Sequence, residues 1–185
     1  MQLKHFIFIE KINEVIKKNI LASKNVTIII NIYHKDRSGN KSDLSIVDFA
    51  KKSKVPFLIV NSFKAAIKFK ANGVFIDSKN KNINKPLILP KEFLIIGSAH
   101  NQLEYNNKLK QTCKTISLSP IFFNKKYSKN KILEIVKFNL ITKNWQTQIC
   151  ALGGVNEKTL KKIKLTRSNS IAYNSYIKKP NYRLR

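Results

Sequence analysis

Small and polar residues stand directly behind apolar runs at several places: Lys35, Asn61, Gly97-Ser98, Ser119-Pro120, Gly153-Gly154 and Asn174-Ser175. Lysine brings a charge to a phosphate, hydroxyls and amides bring hydrogen bonds, and a glycine pair lets backbone N–H groups approach an anion with no Cβ in the way. Together with Asn174 and Ser175, Gly153-Gly154 therefore predicts a phosphate cradle. A plain tight turn is the competing account of the glycine pair taken alone. The chain holds only 5 glycines, where ordinary usage of about 7% would give roughly 13, so their placement carries information. Gly97, Gly153 and Gly154 follow apolar runs, Gly73 precedes one, and Gly39 sits in an ordinary loop. The two cysteines, Cys113 and Cys150, lie far apart with no CxxC spacing and no histidine pair near them. That pattern builds no zinc site, and both are read as small buried hydrophobes kept reduced.

These positions need elements that bring them to one face. Apolar runs at residues 6–9, 26–32, 57–60, 74–76, 93–96, 115–118, 149–152 and 170–173 read as strands. The run at 26–32 is β-branched throughout, as in a strand covered on both faces. Between the runs lie amphipathic stretches: Ile12, Val15, Ile16 and Ile20; Leu44, Val47 and Ala50 behind Ser42 or Asp43 as a cap; 65–69; a polar helix at 102–110; a long helix with Ile132, Leu133, Ile135, Val136 and Leu140 behind Ser128; and Leu160 and Ile163 behind Asn156. Alternation of strand and helix predicts a parallel sheet with helical crossovers, and eight strands close into a (β/α)8 TIM barrel. At 185 residues the chain is shorter than the usual barrel of about 250, so helices and loops must be trimmed. An open doubly wound sheet is the alternative. Residues 1–177 are read as one domain, and 178–185 as a basic tail.

Composition narrows the partners. Lys+Arg number 36 against 10 Asp+Glu, a net charge of +26. Such a field attracts nucleic acid by counterion release, and equally draws phosphorylated small molecules. Three features weaken the nucleic-acid reading. The basic residues are spread along the whole chain; the arginines are only Arg37, Arg167, Arg183 and Arg185; and lysine, asparagine and isoleucine, all over-used here, share A/T-rich codons. With 43% hydrophobic residues, global disorder is excluded. No apolar run approaches the roughly 18 residues of a membrane span, and the run at 6–9 is too short for a signal peptide. The expectation is a cytoplasmic protein.

Five strings, ANGVFI (71–76), IIGSAHNQLE (95–104), LSPIF (118–122), ALGGVN (151–156) and SIAYNSYI (170–177), resemble the ADGVHL, IGxSxHxxEE, xGPIF, AIGGI and GVAVxSAI segments of the thiamine phosphate synthase and TenI-like thiazole tautomerase superfamily. Their order and spacing carry the resemblance over nearly the whole chain. It implies a TIM barrel that joins hydroxymethylpyrimidine pyrophosphate to thiazole phosphate with magnesium, releasing pyrophosphate. It also implies roles. Lys35 is the lysine that contacts pyrophosphate, Asn61 and Ser98 are the polar residues after strands three and five, and Gly154 and Ser175 match the thiazole-phosphate cradle, with Gly153 and Asn174 beside them. The family's proline-threonine-rich loop after PIF is replaced here by Phe123-Asn124-Lys125-Lys126-Tyr127, from which Lys125 or Lys126 is expected to reach pyrophosphate.

Departures from the family pattern are marked. The family's glutamine and arginine after strand two are Asn31 and Tyr33 here, its magnesium aspartates fall on Ser62 and Asn80, and the histidine of GVH is Phe75. Asp77 is the nearest substitute metal ligand, although hard cations want more than one well-placed carboxylate. The tautomerase's catalytic histidine would fall near Pro120. His100 is read as a first-turn residue of its helix and not as a base. Two functional expectations follow: a divergent synthase with lysine taking over part of the metal's role, or a barrel that holds a phosphorylated ligand without turnover.

Overall fold

The computed structural model describes residues 3–32, 44–83, 86, 88–124 and 127–173. Its eight strands are β1 (Lys4–Ile9), β2 (Val26–Ile30), β3 (Phe57–Val60), β4 (Gly73–Ile76), β5 (Leu94–Ala99), β6 (Thr115–Leu118), β7 (Gln148–Leu152) and β8 (Ser170–Tyr173). Each pairs in parallel with the next, and β8 returns to β1. The sheet is thus a closed (β/α)8 barrel, and the open doubly wound alternative is ruled out. The helices are α1 (Glu14–Leu21), α2 (Ser45–Lys52), α3 (Phe63–Lys68), α4 (Gln102–Lys110), α5 (Glu134–Thr142) and the single turn α6 (Glu157–Leu160). Among the described residues no helix joins β4 to β5, which is one of the trims that the short chain required. No helix among the described residues is long and apolar enough to cross a membrane.

Side-chain alternation divides the core in two. Phe6, Ile29, Leu58, Val60, Phe75, Ile96, Cys150 and Ala172 form one cluster drawn from strands alone, with Phe8 and Leu152 packed on it. This is the filled interior of the barrel. Their sequence neighbours, such as Ile7, Ile28, Ile59, Val74 and Ile95, join helix residues Ile16, Ile20, Ile46 and Phe138 in the larger outer cluster. Both free cysteines are buried. Burial pushes each thiol up to about 12, which leaves them protonated and inert, as small core residues should be.

Several local expectations are corrected. Gly97 and Ser98 do not follow β5 but lie inside it, paired with Ile116 and Ser117. Small side chains do not end a strand whose backbone ladder continues. Ser98 is therefore not a cap for α4; Asn101 takes that place by accepting from the Glu104 N–H at 2.9 Å. Ser128 does not cap a long helix. It precedes a 3-10 turn at Lys129–Lys131, and α5 begins only at Glu134, so Ile132 and Leu133 lie outside it. The second strand stops at Ile30, short of residue 32. The N-cap position of α2 is Leu44, with no side-chain cap; Ser42 and Asp43 lie outside the described residues. Asn156 caps α6 as expected, in a reciprocal box with Thr159.

Candidate functional site

The C-terminal ends of the strands form one rim, and two groups of polar residues occupy it. The first stands after β3 and β4. Asn61 takes a left-handed conformation (φ 56°) that stops β3, and its N–H still reaches the Phe75 carbonyl at 2.8 Å. Its amide then spans to the next strand end. Nδ2 donates to Asp77 Oδ2 at 2.6 Å, and Oδ1 accepts from the Asp77 N–H at 2.9 Å. Asn80 closes the cluster, its N–H donating to Asp77 Oδ1 at 2.9 Å and its Nδ2 to Asn61 Oδ1 at 3.3 Å. The structure thus joins Asn61, Asp77 and Asn80 into one hydrogen-bonded unit.

The second group is a cleft of about 310 Å3 after β6 and β7. Ser119, Gly153, Gly154 and Asn156 give it polar edges, and Phe8 and Tyr173 are among its aromatic walls. Gly153 and Gly154 both take positive φ, 94° and 71°. Among the described residues none accepts a hydrogen bond from their N–H groups, whereas the Gly154 carbonyl accepts from Asn156 Nδ2 at 3.1 Å and Thr159 Oγ1 at 3.0 Å. The carbonyls are tied back and the N–H groups are left for a ligand, the arrangement an anion needs.

His100 is held from two sides. Its N–H donates to Glu104 Oε2 at 2.7 Å, and its Nδ1 lies 2.7 Å from the Ser119 carbonyl. The residue ties α4 to the loop after β6. Phe75, where the family carries histidine, is buried in the barrel interior with its ring edge-on to Phe8 at 5.0 Å. Ser98 is buried inside β5 and is not part of the cleft wall. Lys35, Lys125, Lys126, Asn174 and Ser175 lie outside the described residues. What the sequence reading missed is the aromatic wall of the cleft. Phe8 could have been found from strand alternation at the end of β1; nothing in their neighbourhood marked Tyr127 or Tyr173.

The donor set does not fit magnesium. Of the positions where the resemblance puts aspartates, Ser62 spends its hydroxyl accepting from the Ala65 N–H at 3.1 Å, capping α3, and Asn80 offers an amide. Asp77 is left, with both carboxylate oxygens engaged by Asn61 and Asn80. No cluster of three His, Cys, Asp or Glu residues able to hold a metal occurs among the described residues. One occupied carboxylate is less than the one or two free carboxylates that magnesium takes alongside substrate phosphates. The positive field is, by contrast, almost uncompensated: Lys17–Glu14, at 2.8 Å, is the only ion pair among the described residues.

Comparison with known proteins gives the family and the fold. The family model described as thiamine monophosphate synthase matches residues 9–177. A thiamine-phosphate synthase of Prochlorococcus marinus subsp. pastoris is 27% identical over 161 residues, covering 84% of this chain and 44% of that protein. Another, from a different strain of Prochlorococcus marinus, is 29% identical over 155 residues, covering 82% of this chain and 45% of that protein. The chain therefore spans less than half the length of these relatives. Among solved structures, a thiamine phosphate pyrophosphorylase from Pyrococcus furiosus matches with a TM-score of 0.70 at 15% identity, over 94% of this chain and 86% of that one. At that identity the likeness is one of fold.

Proposed function

Because this chain belongs to the thiamine monophosphate synthase family, we propose that its barrel mouth binds hydroxymethylpyrimidine pyrophosphate and thiazole phosphate and joins them to thiamine phosphate. The observation that carries this reading is the Gly153-Gly154 turn, whose N–H groups have no acceptor among the described residues and which edges the 310 Å3 cleft. In the reaction, the bond between the pyrimidine methylene carbon and pyrophosphate oxygen breaks, and its electrons leave with pyrophosphate. The thiazole nitrogen lone pair then forms the new carbon–nitrogen bond. Such chemistry needs anions held and a departing charge stabilised more than it needs a proton relay. Gly153 and Gly154, with Asn174 and Ser175, are assigned to the thiazole phosphate. Lys35, Lys125 and Lys126 are assigned to pyrophosphate, where lysines stand in for part of the metal's charge. Asn61 is assigned to the substrate side of the rim, and Ser98, buried within β5, is given no substrate contact. Replacement of Lys35 by alanine should weaken pyrophosphate binding by about 1–3 kcal/mol, the usual worth of a charge-assisted contact; an unchanged dissociation constant would remove Lys35 from the site.

A second reading, a barrel that holds a phosphorylated ligand without turnover, is favoured by the engaged carboxylate of Asp77. One assay separates the two. Purified protein is mixed with both phosphorylated precursors, with and without magnesium, and thiamine phosphate is detected. Product without magnesium supports lysine in the metal's place. Magnesium-dependent product keeps the synthase but returns a metal to the site and makes Asp77 the ligand to replace. No product, alongside calorimetric binding of thiazole phosphate, selects the non-catalytic barrel. Neither product nor binding overturns both readings, and steeply salt-dependent binding of generic duplex DNA would then point to nucleic acid.

A further inference from the structure

Among the described residues Lys108 is the only lysine buried from solvent, and its exposure is 0%. Its ammonium donates to the Asp77 carbonyl at 2.6 Å, the Asn80 carbonyl at 2.8 Å and Gln111 Oε1 at 2.8 Å. An ammonium has three donors, and all three are matched. Gln111 extends the grip, its Nε2 donating to the carbonyls of Asn80 at 2.9 Å and Asn82 at 2.7 Å. Both residues are on the inner face of the α4 end, and all the carbonyls belong to the segment that follows β4.

The rest of the fold is shaped around this lysine. A Cβ on Gly97 would lie 2.8 Å from Lys108 Cδ and 2.9 Å from Cys113 Sγ. Glycine at that point of β5 therefore leaves the passage for the lysine stem, which is a packing reason and not a ligand-binding one. Burial lowers the lysine's proton affinity, while Cys113, Asp77 and Glu104 oppose that fall. Leaving these part-buried carbonyls without a donor would be costly, because each has given up some of its solvation to face the ammonium or the amide.

We infer that Lys108, supported by Gln111, is the positioning residue of the barrel mouth: its ammonium gathers the carbonyls after β4 as a bound cation would, and so sets Asp77 and Asn80 against Asn61. That these three residues face substrate rests on the function proposed above; that Lys108 holds them does not. The charge is carried by the chain itself, beneath a rim whose described residues build no metal site.

Amide hydrogen exchange tests the grip without any ligand. In Lys108→Met, which keeps the stem and removes the charge, the amides of Asp77, Asn80 and Asn82 should exchange about tenfold faster or more, the signature of local opening. Gln111→Leu should move the same amides and serves if Lys108→Met does not fold. Phe138→Leu, a buried change in α5 on another part of the outer core, controls for general loss of stability and should leave these amides in step with the rest of the barrel. Calorimetry with inorganic pyrophosphate then asks whether the grip matters to the rim, and about tenfold weaker binding is expected in the Lys108 and Gln111 variants and not in the control. Unchanged exchange at 77–82 in a folded variant overturns the inference, as does faster exchange with unchanged pyrophosphate affinity. If the wild-type chain binds no pyrophosphate, the functional reading of the mouth fails, while the exchange data still decide whether Lys108 holds the segment.

Discussion

Gly154→Ala is expected to cost about 3 kcal/mol of stability and to distort the cleft, because two penalties coincide at that residue. Its φ of 71° is one that side-chain-bearing residues rarely adopt, and an added Cβ would sit 2.4 Å from the Phe122 carbonyl oxygen, 2.5 Å from its carbon and 2.6 Å from the Phe123 oxygen. All three are backbone atoms and cannot rotate away. The neighbouring hydrogen bonds hold them there: Ile121 N–H donates to Leu152 O at 2.9 Å and Phe122 N–H to Gly153 O at 3.0 Å. For a domain of this size the melting temperature should fall by about 6–12 °C. Gly153→Ala is the comparator. Its φ is 94°, but its Cβ would meet Pro120 Cα at 3.0 Å, so a loss of about 1–2 kcal/mol is expected. A Gly154→Ala protein that melts within about 1 °C of wild type would refute the packing account. The result also bears on the phosphate cradle. A valine at 154 would remove ligand binding and displace the 121–123 segment together, so lost binding in such a variant does not by itself identify a cradle. Gly153→Ala, the milder change, is the better probe of thiazole-phosphate affinity.

Stability should rise by about 3 kcal/mol as pH climbs from about 4 to 6.5, on account of His5 alone. Burial lowers its imidazole from 6.5 to about 4. Nδ1 lies 3.2 Å from the Tyr173 hydroxyl, and the two rings meet edge to face at 6.2 Å. Between the two values the unfolded chain binds a proton that the folded chain refuses, so unfolding is favoured as pH falls. The contribution is complete above 6.5 and is lost as pH drops toward about 4. Urea unfolding at pH 4.5 and 7 would measure it as the difference between wild type and His5→Leu. Parallel pH profiles for the two proteins would show that His5 does not carry the effect.

The elements of the barrel were legible because their signal is local. A parallel strand covered on both faces is a short apolar run, and eight such runs alternate with helical patterns along the chain. The boundaries were less so. In the sequence β5 looks to end before Gly97, because glycine and serine resemble punctuation, yet its ladder continues through Gly97 and Ser98 opposite Ile116 and Ser117. Local residue type gives no account of a neighbouring strand. The start of α5 failed for a related reason: Ile132 and Leu133 carry helical spacing, but backbone bonds from Leu133 and Glu134 to the carbonyls of Pro120 and Ile121 hold that entry in the loop after β6.

The sequence by itself determined the strand count, the parallel order, the inert cysteines, the rim positions of Asn61 and Gly153-Gly154, and the resemblance that the family model bears out. Each of these depends on a run, a spacing or a string that neighbours in the chain define. Tertiary structure alone decided that Asn61, Asp77 and Asn80 form one unit, that Phe8 and Tyr173 wall the cleft, and that one lysine among many is fully buried. In the sequence Lys108 stands between Tyr105 and Gln111 at helical spacing, and lysine at such a place reads as a solvated residue. What makes it a buried clamp is the set of carbonyls brought to it from 77–80, about thirty residues away along the chain, and the absence of a Cβ at Gly97 that lets its stem pass. Partners separated so far in sequence leave no local mark, because their attraction exists only once the barrel has closed.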